Sequence, residues 1–131
     1  MAASRNPYNR YANQSIFTAS PEELALKLYE GALKFCNQAI VAVENKEYEK
    51  ANELILKVQA IIREFQLKLD RSYDISSNFA SLYSYILERL VAANVSKDLE
   101  ILHEVRELLR NFRDMWKEAM VLAKQQKVTT G

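Results

Sequence analysis

Apolar residues recur along this chain at intervals of three and four positions, the spacing of one face of an α-helix. The second helical stretch shows this spacing most regularly, in Ala51, Leu54, Val58, Ile61 and Phe65. The pattern predicts four helices, at about 21–44, 48–69, 77–93 and 98–124. We find no strand-like alternation, and two of the links between helices are short. The chain is therefore predicted to be all-α, an antiparallel up-and-down four-helix bundle with an extended N-terminal segment.

The first predicted helix has a clear beginning. Ser20 is the expected N-cap, Pro21 occupies the first helical position, and Glu23 can complete a capping box back to Ser20. The residues before this point carry large apolar side chains but no sustained helical period. We expect three parts. Residues 1–20 form an N-terminal segment, called the latch because we expect it to dock on another surface; residues 21–124 form the four-helix bundle; and residues 125–131 form a disordered C-terminal tail.

Two helices carry more apolar surface than a bundle core requires. The first is apolar over about 200° of its circumference, whereas a surface helix presents a face of about 100° or somewhat more. The second has a thin apolar stripe on its back, and Tyr85 projects sideways from the third near Arg89. On its own, Tyr85 is equally consistent with a protein-binding patch and with an ordinary, partly exposed tyrosine. The predicted binding groove consists of Leu24, Leu26, Leu28, Leu33, Ile40, Leu56, Leu67 and Tyr85.

Composition and charge exclude several classes of function. The formal net charge is +1, so the sequence offers no electrostatic argument for binding nucleic acid or an anionic membrane. No apolar run approaches the about 18 residues of a membrane span, and no secretory signal is evident, so we expect no membrane insertion. Cys36 is the only cysteine, which excludes an internal disulfide and fits a reducing compartment. We interpret Cys36 as a packing residue, with a reactive thiol as the minor alternative.

Candidate catalytic chemistry is sparse. Glu100 and His103 match the Glu-x-x-His spacing of di-iron bundles, but that site needs two such motifs, and His103 is the only histidine. We place His103 on the charged face of the fourth helix. The sequence also lacks a Gly-x-Ser-x-Gly elbow and a glycine-rich phosphate loop. We therefore predict a binding protein that is not an enzyme, with no catalytic residues, metal site or cofactor.

The N-terminal segment is unusually rich in aromatic and aliphatic side chains for a polar-looking tail. A purely polar tail would be solvated, whereas this one is expected to dock on another surface. The residues that would make the contact are Tyr8, Tyr11, Ile16 and Phe17.

Several short runs match one known family. They are Asn6-Pro7-Tyr8, Thr18-Ala19-Ser20-Pro21-Glu22-Glu23-Leu24, Leu28-Tyr29, Leu82-Tyr83, Arg89-Leu90, Phe112-Arg113-Asp114 and Trp116-Lys117. In these runs the chain resembles the flagellin-specific export chaperones of bacterial flagellar assembly, the FliS family. The resemblance extends from Asn6 to about Lys117.

The resemblance implies a cytoplasmic chaperone that binds the disordered C-terminal segment of flagellin, prevents its premature polymerisation and delivers it to the export apparatus. It also implies the export gate protein as a second partner. The latch would cover the groove while flagellin is absent. The alternative is an oligomerising helical bundle with a structural or adaptor role, and a weak homodimer is a further candidate. A permanent dimer would remain dimeric on dilution, whereas a chaperone with an empty groove would be mainly monomeric.

Overall fold

The computed structural model describes residues 21–70, 72 and 76–130, and these form four α-helices. The helices are α1 (Pro21–Glu44), α2 (Tyr48–Lys68), α3 (Ser76–Ser96) and α4 (Leu99–Thr130). α1 packs against α2 and α4, and α3 packs against the same two helices. Each helix therefore has two neighbours around a shared core. This arrangement confirms the predicted all-α four-helix bundle.

Both short links place a lysine in the left-handed backbone region. Lys46 between α1 and α2 has φ 60°, and Lys97 between α3 and α4 has φ 53°. After α1, the Glu47 amide donates to the Ala42 carbonyl at 2.8 Å, which satisfies a carbonyl at the helix end. α4 then begins with Asp98 as its N-cap, whose Oδ1 accepts a hydrogen bond from the Glu100 amide at 2.9 Å. These capping hydrogen bonds end one helix or begin the next, so the chain reverses direction within a short link.

Two helices extend beyond their predicted ends. α3 continues to Ser96 because Asn94, which we expected in the link, donates a 2.7 Å hydrogen bond to Asn52 Oδ1 of α2. α4 continues to Thr130, through the segment predicted as a disordered tail. No glycine or proline interrupts the sequence between Asp98 and Gly131, so α4 meets no local stop signal. The predicted N-cap Ser20 and the whole latch segment lie outside the described residues.

The core uses most of the wide apolar face of α1. Cys36 is fully buried at its centre, and its thiol donates to the Leu102 carbonyl of α4 at 3.6 Å. Burial raises the pKa of the Cys36 thiol to about 12, as expected of a packing residue. Leu33 and Ile40 are also buried in the core. A helix that packs against two neighbours needs a wide apolar face. Leu33 and Ile40 therefore pack in the core, whereas we expected them in the binding groove.

Candidate functional site

A cavity of about 630 Å³ opens at the end of the bundle where α1 begins and α2 ends. The start of α3 and the middle of α4 complete its walls. Its apolar lining comes from all four helices and consists of Leu24, Ala25, Leu28, Tyr29, Phe65, Leu69, Phe79, Tyr83, Phe112, Met115, Trp116 and Ala119. The volume falls within the range of about 300–1,000 Å³ typical of ligand sites.

Aromatic rings in mutual contact form the inner wall of this cavity. Tyr29 of α1 stacks on Phe65 of α2 with ring centroids 4.2 Å apart, and it lies 5.7 Å from Phe112 of α4. Tyr83 of α3 stacks on Phe112 at 5.4 Å. Offset ring pairs of this kind add stabilisation beyond their buried area. The wall is therefore built from contacting side chains of every helix.

The inner wall contains one polar feature, a pair of tyrosine hydroxyls. The hydroxyl oxygens of Tyr29 and Tyr83 lie 2.8 Å apart and share a hydrogen bond. The two residues are only 3% and 4% exposed, although both line the cavity. Burial raises the pKa of each phenol above its ordinary value. Both hydroxyls therefore remain protonated at neutral pH.

The rim of the cavity carries charged side chains, namely Glu22, Glu64, Lys68 and Asp70. Lys68 Nζ lies 3.3 Å from Glu64 Oε1, one helical turn away on α2. Hydrogen bonds from the Ser72 hydroxyl and amide lower the pKa of the exposed Asp70 carboxyl. Among the described residues, the rim is thus acidic around an aromatic interior.

The structure separates the residues of the predicted groove. Of that set, Leu24 and Leu28 line the cavity, and Leu26 is half-buried outside it. Leu33 and Ile40 belong to the core. The two residues from the back of α2, Leu56 and Leu67, are 48% and 81% exposed, and neither lines the aromatic cavity.

Leu56 instead lies in a second, shallower depression between α2 and α3. Its lining residues are Asn52, Leu56, Gln59, Val91, Asn94 and Val95. This depression is at the opposite end of the bundle from the aromatic cavity, because it is formed by the start of α2 and the end of α3.

Tyr85 takes part in a polar cluster that joins α3 to α4. Its hydroxyl donates to Glu104 Oε2, and Arg89 Nε donates to Glu104 Oε1 at 2.8 Å. The hydrogen bonds from Tyr85 and from Arg89 lower the pKa of the Glu104 carboxyl. Tyr85 is therefore engaged within the bundle, although it is 39% exposed.

Sequence reasoning missed the aromatic cavity although its signal was present. Tyr29 is not among the predicted groove residues, yet it is four positions after Ala25 and three before Ala32, which places it on the apolar face of the first helix. In an up-and-down bundle, the start of α1, the end of α2, the start of α3 and the late part of α4 all meet at one end. The aromatic residues are concentrated in these four stretches, so the topology alone indicates their convergence.

The described residues contain neither a group of three or more metal-ligating side chains nor a helix long and apolar enough to cross a membrane. The predicted latch residues Tyr8, Tyr11, Ile16 and Phe17 lie outside those residues. What the cavity offers chemically is a concave, largely aromatic surface with one hydroxyl pair. Such a surface is suited to receiving apolar side chains.

Comparison with known proteins identifies the family. The sequence profile described as "Flagellar protein FliS" matches residues 4–124. The chain is 42% identical over 118 residues to the flagellar secretion chaperone FliS of Bacillus subtilis strain 168, covering 90% of this chain and 89% of that protein. It is 35% identical over 100 residues to the flagellar secretion chaperone FliSB of Pseudomonas aeruginosa, covering 75% and 79%. This chain therefore belongs to the FliS family of flagellar proteins.

Proposed function

We propose that this chain is a cytoplasmic flagellar secretion chaperone that binds the disordered C-terminal segment of flagellin in the aromatic cavity. By occupying that segment it would prevent premature polymerisation and deliver flagellin to the export apparatus. The observation that carries the proposal is the 630 Å³ cavity lined by rings from all four helices. Membership of the FliS family and the relatives named as flagellar secretion chaperones support the general role.

The physical properties of the cavity suit a client that must later be released. Burying one large apolar side chain contributes about 1.5–3 kcal/mol. Ordering each residue of a disordered segment costs about 1–2 kcal/mol of backbone entropy. A few inserted side chains therefore yield moderate affinity for the area covered, and coupled folding and binding has this character. Transfer to a second partner, the export gate protein, then remains feasible.

We further propose that the N-terminal segment acts as a latch over the same cavity. Glu22 and Leu24 line the cavity at the start of α1, so the chain before Pro21 joins the bundle at the rim. A tethered segment competes at a high effective concentration. Tyr8, Tyr11, Ile16 and Phe17 supply the apolar groups for such a contact. Flagellin would displace the latch because a longer segment buries more surface.

The experiment that tests this function compares binding of full-length flagellin with binding of flagellin lacking its C-terminal segment. Trp116 is the only tryptophan and lines the cavity, so its fluorescence reports occupancy when the binding partner lacks tryptophan. We expect full-length flagellin, and a tryptophan-free C-terminal segment alone, to bind and to change the Trp116 emission. Equal binding by the truncated flagellin would contradict the proposal.

A further inference from the structure

The hydroxyl pair of Tyr29 and Tyr83 contains two O–H donors, but the hydrogen bond between them needs only one. Each phenol carries one proton and can accept through its oxygen. The 2.8 Å contact consumes one of the two protons, whichever hydroxyl donates. Within the described residues, neither hydroxyl makes any other hydrogen bond. Among the described residues, one buried O–H donor is therefore left without an acceptor in the aromatic wall.

A leftover buried donor changes which guests the cavity prefers. Leaving such a group without a partner is unfavourable, unless water or a guest supplies an acceptor. The phenylalanine rings that contact the Tyr83 ring, those of Phe65, Phe79 and Phe112, carry no conventional acceptor. An entering guest is the group that can complete this hydrogen bond. A purely hydrocarbon guest would leave the donor unpaired.

The charge around the cavity restricts the acceptor to a neutral one. Among the described rim residues, the three carboxylates of Glu22, Glu64 and Asp70 outnumber the single ammonium group of Lys68, which is already paired with Glu64. An anionic guest would be repelled at this rim. Backbone carbonyl, carboxamide and hydroxyl oxygens are neutral acceptors that a polypeptide can supply.

We infer that the Tyr29–Tyr83 hydroxyl pair is a recognition point that selects guests carrying a neutral hydrogen-bond acceptor alongside an apolar group. The application of this inference to flagellin rests on the proposed function, because flagellin would have to place such an acceptor inside the cavity. The selectivity itself is a property of the cavity and does not depend on flagellin.

Two nearly isosteric fragments test the inference on the full chain. Acetophenone and α-methylstyrene differ in having C=O or C=CH₂ beside a phenyl ring. Their affinities are measured by following amide shifts in NMR titrations of wild type, Tyr29→Phe, Tyr83→Phe and the double variant. For each protein we take the ratio of the acetophenone affinity to the α-methylstyrene affinity. A change in cavity shape between variants affects both fragments alike and so cancels in this ratio, as in a double-mutant cycle.

We expect the acetophenone preference to fall about fivefold in the double variant relative to wild type, the value of one ordinary hydrogen bond. Each single variant should keep the preference, because its remaining hydroxyl still donates. Binding of α-methylstyrene to every variant shows that the cavity is intact. An equal ratio in wild type and double variant, or a loss in one single variant, would overturn the inference while leaving the proposed function standing. If neither fragment binds wild type or the variant that lacks Met1 to Phe17, in which no latch can compete, the inference is overturned.

Discussion

The indole Nε1 of Trp116 donates a 2.8 Å hydrogen bond to the backbone carbonyl of Glu22. This bond joins the late part of α4 to the first turn of α1, at the rim of the aromatic cavity. The Trp116 ring also lies 6.3 Å from Tyr29, tilted by 52°. One side chain thus anchors the start of α1 and closes part of the cavity wall.

Trp116 should therefore contribute to stability through both the bond and the ring. Trp116→Phe removes the hydrogen bond but keeps an aromatic ring, and should lower the free energy of unfolding by about 1 kcal/mol. Trp116→Ala should cost more, but less than the about 3–5 kcal/mol of a fully buried aromatic, because the indole is half-buried. Urea denaturation followed by circular dichroism measures both values. Wild-type stability for Trp116→Ala would show that the anchor is dispensable.

The left-handed Lys46 in the first link offers a route to higher stability. Glycine adopts this conformation without the steric cost of a Cβ atom. Lys46→Gly should therefore raise the free energy of unfolding by about 1 kcal/mol. Glu49→Gly, in the first turn of α2, is the matched control and should lower it, since glycine is unfavourable within a helix. Destabilisation by both substitutions in thermal melts would argue against the positive φ at Lys46.

The Glu104 cluster predicts a particular dependence of stability on pH. Hydrogen bonds from Tyr85 and Arg89 lower the pKa of Glu104 in the folded state. A carboxyl with a depressed folded pKa stabilises the protein above its unfolded pKa of about 4.3, and this contribution is lost as pH falls through the folded value. Wild type should thus lose more stability than Glu104→Gln between pH 7 and pH 3. Identical pH profiles in urea titrations would show that the cluster contributes nothing.

Removing the N-terminal segment tests the proposed latch. Deletion of Met1 to Phe17 should leave the helical circular dichroism nearly unchanged, because the core residues lie in α1 to α4. It should increase binding of a hydrophobic dye and promote self-association on concentration. A pure latch also predicts equal or tighter flagellin binding by the deletion variant. Unchanged dye binding and oligomeric state would mean that the segment covers no apolar surface.

Hydrophobic periodicity predicted the fold well, because helix positions and short links leave few topologies for a four-helix chain. The helix ends were less accurate, since Asn94 looks like a turn residue in sequence but pairs with Asn52 in the structure. The groove was harder to predict. Leu33 and Leu28 are equally apolar, and only packing decides that the first enters the core and the second lines the cavity. The cavity depends on where four distant stretches converge.

Titration of the flagellin C-terminal segment into two matched variants tests the central claim that the aromatic cavity is the client site. Met115 lines the cavity and is 51% exposed, whereas Leu67 is 81% exposed and lies outside it. Because both side chains are exposed, Met115→Glu and Leu67→Glu should each fold normally, which circular dichroism checks. Isothermal titration calorimetry should show at least tenfold weaker binding for Met115→Glu, the effect of about 1.4 kcal/mol, and wild-type binding for Leu67→Glu. Wild-type affinity for Met115→Glu, with weakened binding for Leu67→Glu, would contradict the account and place flagellin on the back of α2.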